Sequence, residues 1–332
     1  METRKLQLTG GSSLAVTLPK KWADHFGLKD KDTVIIYSQK SGSLIVQPSR
    51  LKEQLLKTVL KIDRITNDML TRELIAHYIS GSDEVVITSQ KITQDKRNTI
   101  RKVSQSLIGY EIIAESLKEI LIKNIFDAEK FPIIQTVEKM FAIAKSMFDD
   151  AIEALTQNNK TLASDVIDRD FEINKLQLAV TRQFYALIRG RVYDEEVGLN
   201  QADLSYYENV ATQLERIADH ATKIAHAAVN DDKKSGSSVS PRLKNIAKKI
   251  LPLLEYSEEM VLKLDKNLAH KVLDKNPSIE RTISLDRDAK SLKEMIAIDS
   301  LDRLRGYVMN IAEITIDQSV TKQEKWNYGE AK

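Results

Sequence analysis

Acidic side chains recur at four-residue intervals in two segments of helical periodicity. Glu215 and Asp219 are four residues apart, and Glu208 precedes them by about two turns. Residues four apart share one face of a helix, so these like charges repel one another. Asp170 and Asn174 have the same spacing in the preceding segment. Both pairs lie on the flank of an apolar stripe, roughly 60–140° from its centre at about 100° per residue.

Two such flanks on neighbouring antiparallel helices would bring these oxygen atoms together at a bundle surface. Carboxylate and amide oxygens suit a hard cation such as Mg²⁺ or Mn²⁺, or iron, because the cation cancels their repulsion. The alternative is a set of ordinary solvated carboxylates, with Arg169 and Arg216 as counter-charges. Spacing alone leaves both interpretations open.

No catalytic constellation accompanies these carboxylates. The chain has no cysteine, and its five histidines show neither an HExxH pattern nor a face-sharing pair. We also find no nucleophile with a base and an orienting group. The sequence therefore predicts a protein that is not an enzyme.

Composition favours a mainly α protein of more than one domain. The 332 residues exceed what one core usually supports, and few Gly (11) and Pro (6) residues with 30% charged residues favour long solvated helices. The N-terminus has no apolar signal core, and no stretch of about 18 apolar residues occurs. We expect a cytoplasmic protein that does not insert into a membrane.

The first fifty residues are basic. They contain eight Lys or Arg and four Asp or Glu residues, a balance of +4, which leaves −2 of the total +2 for the rest. Local positive charge suits contact with nucleic-acid phosphates, although a merely basic surface remains the alternative. The candidate phosphate contacts are Arg4, Lys5, Lys20, Lys21 and Arg50.

The sequence of residues 1–50 predicts four short strands and one helix. The strands are expected at 4–9, 14–18, 33–38 and 43–47, and Pro19 opens the helix. A unit this thin buries too little surface alone, which favours an interleaved homodimer.

Residues 51–130 predict a small α/β connector. We expect helices at 71–79 and 94–107 and strands at 84–88, 110–114 and 120–125. No ligand-cradling glycine loop is present, which favours a scaffold or dimerisation domain over a small-molecule sensor.

The remainder predicts two tandem three-helix bundles, at 131–230 and 242–322. Apolar residues recur at the 3.6-residue period throughout, and the polar run 231–241 reads as a linker. Pro252 should kink the first helix of the second bundle, and the next two helices are expected at 268–295 and 298–320. Short segments repeat between the halves, such as 214–217 and 301–304.

The front segment TGGSSLAVTLPKKWADHFGLKDKDTVIIYSQKSGSLIVQP resembles the AbrB/SpoVT family of swapped-hairpin DNA-binding modules. GGSS, VTLPKKW, the GLKDKD turn and GSLIVQP carry the resemblance. It implies a homodimer whose interleaved hairpins form one barrel and whose basic loops meet DNA.

The helical region resembles PhoU, most specifically in LERIADHATKIAHA and LDRLRGYVMNIAE. That resemblance implies metal clusters on the bundle surface, with Mg, Mn, Fe or Zn as candidates. Carried over, the first bundle offers Asp170 with Asn174 and Glu215 with Asp219, and Asn174 replaces the family's usual Asp. The second bundle keeps a weaker set, because Gly306 follows Asp302 at the fourth position. That weaker set is Asn276, Glu280 and Asp302.

An AbrB-like N-terminal module followed by a PhoU-like helical region resembles an arrangement common in archaea. This resemblance implies phosphate-linked regulation. We expect a homodimer that binds DNA and negatively regulates phosphate uptake. The alternative is a dimeric adaptor that controls a phosphate ABC-transporter ATPase or a sensor kinase without binding DNA.

Overall fold

The computed structural model describes residues 2–39, 42–49, 55–125, 131–230, 241–285 and 291–323. The chain divides into two compact units, residues 1–54 and 55–332. Long helices dominate the second unit, and short strand hairpins make up most of the first. The prediction of a mainly α protein is therefore confirmed.

The first unit consists of two antiparallel hairpins and one short helix. Leu8 pairs with Leu14 in the first hairpin, and Gly10 and Gly11 in its turn have positive φ angles of 62° and 88°, which glycine adopts without strain. The elements in chain order are β1 (Gln7–Thr9), β2 (Ser13–Ala15), α1 (Lys20–His25), β3 (Val34–Ser38) and β4 (Leu44–Pro48).

Most large apolar side chains of this unit remain exposed. In its described part the buried residues are Tyr37 and Pro48. Side chains at least half exposed are Leu6, Leu8, Leu14, Val16, Ile36 and Leu44. One copy of the unit therefore leaves the apolar surface of its hairpins in contact with water.

Residues 57–124 form a two-layer α/β domain. Its four-stranded sheet has the order β5-β6-β8-β7, in which β5 and β6 are parallel and the other neighbours antiparallel. The hydroxyls of Thr66 and Thr93 cap the two helices. The elements are β5 (Lys57–Lys61), α2 (Asn67–Ile79), β6 (Glu84–Thr88), α3 (Gln94–Gln105), β7 (Tyr110–Glu115) and β8 (Glu119–Asn124).

Strand β5 is absent from the sequence prediction, which assigned no element to Lys57–Lys61. The strand has a lysine at each end with Thr58, Val59 and Leu60 between them, and it lies at the sheet edge beside β6. Its pairing with Glu84–Thr88 is a non-local contact that local patterning does not reveal.

The helical region begins with four helices, and its long members follow the predicted apolar stripes. Asn159 and Asn200 cap two of them with their side chains. The helices are α4 (Ile133–Gln157), α5 (Lys160–Ile188), the short α6 (Asp194–Val197) and α7 (Gln201–Val229). The three long helices confirm the first predicted bundle.

The second half contains α8 (Pro241–Ile250), α9 (Pro252–Lys263), α10 (Lys266–Leu285) and α11 (Leu292–Gln323). The predicted interruption at Pro252 is confirmed, because α8 ends at Ile250 and α9 starts at Pro252. The predicted helix junction at residues 295–298 is wrong, since α11 runs through these residues from Leu292. Met295 is exposed and Ile298 buried on the same helix, so a change of face resembled a helix end.

The two bundles share one continuous apolar core along α7 and α11. Polar side chains also join these helices, and three of the four, Asp203, Gln213 and Gln318, are buried. The amide of Gln318 donates to Asp203 at 2.8 Å, and the amide of Asn310 donates to Gln213 at 3.1 Å. Such paired polar groups fix the register of the two halves, because a shift would leave buried groups unsatisfied.

The α/β domain is attached to the first bundle through arginines at the end of α5. Arg182, Arg189 and Arg191 all donate to backbone carbonyl oxygens of residues 78–82. Arg191 also forms an ion pair with Asp83 at 2.8 Å. In the described part of the chain, no helix has the length and apolar character needed to cross a bilayer.

Candidate metal site and basic surface

The packing of α5 against α7 places four predicted ligands beside one another. Asp170 on α5 accepts a hydrogen bond from Asn174 Nδ2 at 2.9 Å and another from Thr222 Oγ1 on α7 at 3.2 Å. Its charge raises the pKa of both Glu215 and Asp219 on the facing helix. We call Asp170, Asn174, Glu215 and Asp219 the acidic cluster.

The acidic cluster is destabilised when all its carboxyl groups are charged. Burial raises the pKa of Glu215 to about 6, and the charges of Asp219 and Asp170 add to that shift. Burial and the charge of Asp170 likewise raise the pKa of Asp219. A bound cation would relieve this repulsion.

Two further observations bear on whether the acidic cluster could bind a metal ion. The Oδ1 atom of Asn174 is buried and accepts no hydrogen bond from any described residue. In the described ranges, no group of three or more acidic or histidine side chains is assembled closely enough to hold a metal ion. Ligation would therefore require these side chains to turn toward a common point.

Glu208 lies outside the acidic cluster. It precedes Glu215 by seven residues, about 10 Å along the helix axis. Its Oε1 accepts hydrogen bonds from Thr181 at 3.2 Å and from Thr212 at 3.4 Å. The structure thus surrounds Glu208 with hydroxyl groups and separates it from the carboxylates with which the sequence grouped it.

The corresponding residues of the second bundle are held by an arginine. Arg305 on α11 donates to Asn276 on α10 and to Asp302 at 2.8 Å. Its guanidinium therefore already supplies a positive charge to Asp302 and a donor to Asn276. The third predicted residue, Glu280, is exposed on α10. Three-residue spacing, as between Asp302 and Arg305, was the sequence signal that could have revealed this pairing.

The proposed counter-charges differ in their roles. Arg169 donates to Asp150 at 2.5 Å and forms an ion pair with Asp165 at 2.8 Å. Arg216 is exposed, and its charge lowers the pKa of Glu215 less than burial raises it. The charge of Lys223 also lowers the pKa of Glu215 and of Asp219, but burial and the neighbouring carboxylates outweigh these cations, since both pKa values are raised.

The basic residues of the first unit are mostly exposed. Lys5, Lys20 and Lys21 face solvent, the last two in the first turn of α1. Arg4 forms an ion pair with Glu2 and donates to Thr17 at 2.7 Å, so part of its charge is compensated. Arg50 lies outside the described residues.

Sequence reasoning missed the threonines that contact these carboxylates. Thr222 follows Asp219 by three residues and reaches across to Asp170, while Thr181 reaches Glu208 from α5. The spacing of Thr222 places it on the face of Asp219, which was the available signal. The approach of Thr181 depends on helix packing, which the sequence does not specify.

Fold and site together define a two-part protein, with a β-hairpin front module and helical bundles that carry an acidic cluster. The family model of the PhoU domain matches residues 137–228, and the model described as "Antidote-toxin recognition MazE, bacterial antitoxin" matches residues 7–54. The chain therefore contains a PhoU domain behind a MazE/AbrB-like N-terminal domain.

Curated relatives agree with the PhoU match. A PhoU homolog of the phosphate-specific transport system from Aquifex aeolicus is 25% identical over 146 residues, 44% of this chain and 65% of the relative. The chain thus spans just under two thirds of that relative's length. A homolog from Pseudomonas putida is 23% identical over 208 residues, covering 58% of this chain and 79% of the relative.

A solved structure shows the same fold. The crystal structure of PhoU from Pseudomonas aeruginosa aligns with a TM-score of 0.51 at 21% sequence identity. The alignment covers 58% of this chain and 98% of that structure. The helical bundles therefore have the PhoU fold.

Proposed function

We propose that this chain is a dimeric, non-enzymatic regulator of phosphate uptake in the cytoplasm that binds DNA through its N-terminal module. The observation that carries the proposal is the presence of a PhoU domain and a MazE/AbrB-like domain in one chain. Curated relatives of the helical part are named as accessory proteins of phosphate-specific transport. The bundles would sense a partner or a cation, and the front module would act on DNA to reduce uptake.

Exposed apolar residues of the first unit support a homodimer. Leu8 is 69% exposed and Leu14 65%, although they pair directly across the first hairpin. Interleaving two copies would bury these side chains on both, and each large aliphatic side chain buried contributes roughly 1.5–3 kcal/mol. A second copy is thus the simplest way to complete the core.

Exposed lysines on α1 support DNA binding. Lys20 and Lys21 are adjacent at the start of the helix, and the structure gives neither an acidic partner within the described residues. A dimer would present this pair twice and so contact phosphates at two places on a duplex.

The salt dependence of DNA affinity tests this proposal. Each phosphate contact contributes about 0.9 to the slope of log affinity against log salt concentration. Lys20→Ala/Lys21→Ala removes four lysines per dimer, so the slope should fall by about 3–4. The Lys139→Ala/Lys271→Ala variant removes the same charge from exposed helical positions and should keep the slope of the parent protein. An unchanged slope in the first variant, or no binding at low salt, would overturn DNA binding.

The rival function is a dimeric adaptor that acts on a phosphate ABC-transporter ATPase or a sensor kinase. The named role of the curated relatives favours it, because those proteins are accessories of a transport system. Co-purification of such an ATPase or kinase with a chain that does not bind DNA would support the adaptor. A regulator that binds DNA and also retains this partner would show both activities.

The acidic cluster fits a hard cation. Its donor set is oxygen only, its carboxylates repel one another, and Asn174 Oδ1 is buried without a described partner. Asp170, Asn174, Glu215 and Asp219 would hold the ion, which would neutralise their charge. Mg²⁺ and Mn²⁺ suit these ligands best, with iron and Zn²⁺ as further candidates.

Titration calorimetry with MnCl₂ tests cation binding. We expect Asp219→Asn to weaken the affinity at least tenfold, because it removes one charged oxygen from the acidic cluster. Asp302→Asn in the second bundle is the matched control and should leave the affinity unchanged, since Arg305 already neutralises that residue. Equal affinities in all three proteins would exclude the acidic cluster as the site.

A further inference from the structure

Among the residues that the structure describes, no helix packs on one face of the sheet of the α/β domain. Helices α2 and α3 pack on the face that carries Val85 and Ile87, and both of these side chains are fully buried. The opposite face, called the open face here, is exposed to solvent along β5, where Val59 is 64% exposed. Two of the three strand pairings are antiparallel, and sheets of this kind often leave one face in contact with solvent. The open face is therefore accessible to a partner.

An apolar row crosses the middle of the open face. The register pairs Val59 with Val86, Val86 with Leu121, and Leu121 with Ala114. Val86 and Leu121 are partly exposed. The row runs from one edge of the sheet to the other, so a flat apolar surface could pack against it.

A charged row of alternating sign lies beside the apolar row. Lys57 pairs with Glu84, Glu84 with Lys123, and Lys123 with Glu111, which gives the order plus, minus, plus, minus. Ion pairs of 2.9 Å and 3.9 Å already link Glu84 to its two lysine neighbours. Reversing this order gives minus, plus, minus, plus. The row is therefore complementary to a reversed copy of itself.

We propose that the open face packs against the open face of a second copy of this chain. A two-fold axis parallel to the strands, between β6 and β8, reverses both rows at once. Lys57 then faces Glu111 of the second copy, and Glu84 faces Lys123 of the second copy. In the apolar row, Val86 faces Leu121 of the second copy. Every charged side chain of the row thus meets its opposite sign.

The open face is too small to hold two copies together by itself. Four strands of five residues cover roughly 300 Å² at about 4.8 Å between strands and 3.3 Å per residue. A stable interface buries about 800 Å² per partner. The open face is therefore a second contact between copies already joined elsewhere, where a high effective concentration favours it. In this respect the inference rests on the proposed homodimer of the first unit.

Cross-linking of single cysteines in the full chain tests the inference, because the natural sequence contains none. Leu121→Cys places thiols near the proposed axis, and packed sheets lie about 10 Å apart, within reach of a bismaleimide of that span. We expect efficient cross-linking of Leu121→Cys. The control is Met69→Cys, 45% exposed on α2 on the other side of the domain, which should stay uncross-linked.

A charge exchange then tests the orientation. In the Leu121→Cys background, Lys57→Glu alone should lower the cross-linking yield at least fivefold. Adding Glu111→Lys should restore the yield, because the pair between copies is re-formed with reversed signs.

Mass measurement separates the two proposals. A dimeric chain in which Leu121→Cys fails to cross-link would overturn the open-face interface and leave the front dimer standing. Failure of Glu111→Lys to rescue the yield would overturn the proposed orientation. A monomeric chain would overturn both the front dimer and this interface.

Discussion

At the scale of single residues, the acidic cluster combines burial with like charge. Glu215 is partly buried on α7, and Asp170 approaches it from α5. Buried carboxylates are normally compensated by a cation or a hydrogen-bond donor. Thr222 and the amide of Asn174 supply donors to Asp170. Those two bonds compensate Asp170 and leave the charge of Glu215 to be relieved by a proton or a cation.

The difference in stability between Glu215→Gln and the parent protein should depend on pH. The pKa of Glu215 is about 6 in the folded chain, above the roughly 4.3 of an unfolded glutamate. The folded state therefore holds this proton more tightly. Stability is greatest below the unfolded pKa and falls as pH rises through 6. Without added metal, we expect the free energy of unfolding of Glu215→Gln to exceed that of the parent by about 1 kcal/mol at pH 7.5, after allowance for solvent screening.

Urea denaturation at two pH values checks this prediction. The advantage of Glu215→Gln should vanish near pH 4.5, where the parent carries a protonated Glu215. The exposed Glu172→Gln on α5 provides a control for the loss of one charge. An equal gain in stability at both pH values would contradict the claim that the charge of Glu215 destabilises the parent protein.

At the scale of elements, one buried arginine joins the α/β domain to α5. Arg182 is 4% exposed and stacks over the rings of Tyr78 and Tyr110, 4.8 Å and 5.6 Å from their centroids. It also donates to the carbonyl oxygens of Tyr78 and Ser82. The cation is thus satisfied by backbone oxygens and aromatic faces, which makes the attachment directional.

We expect Arg182→Ala to destabilise the second unit by about 3 kcal/mol, because two carbonyl oxygens lose a charged donor, two aromatic rings lose the cation and a cavity forms. Arg189→Ala is the matched control. Arg189 also donates to the 78–82 turn, but it is exposed, so its removal should cost less than about 1 kcal/mol. Chemical denaturation of both variants measures the difference. Similar losses in the two variants would show that burial of Arg182 is unimportant.

Sequence periodicity predicted the elements better than their contacts. The apolar stripes specified the long helices, because each buries one face against a shared core. Arg182 illustrates the limit, since its partners Tyr78 and Tyr110 are distant in sequence and its neighbours give no sign of burial. The same limit hid β5, whose partner is non-local. Spacing predicted that Asp170 and Glu215 converge, whereas the contact between Arg305 and Asn276 depends on how α10 packs against α11.

At the scale of the whole molecule, the two units differ in charge and in completeness. The first fifty residues carry +4 and the rest −2. The first unit exposes apolar hairpins, whereas the helical region buries a continuous core. A second copy would complete the core of the front module. It would also form a second contact through the open face. We therefore expect dimerisation and DNA binding to be linked.

Sedimentation of the purified full chain with and without a short duplex measures dimerisation and DNA binding together. We expect a dimer of about 75 kDa, twice the 37.7 kDa of one chain, that gains the mass of one duplex at low salt. Lys20→Ala/Lys21→Ala should remain a dimer and lose the added mass. A species of 37.7 kDa, or a dimer that never takes up DNA at low salt, would exclude a dimeric DNA-binding regulator.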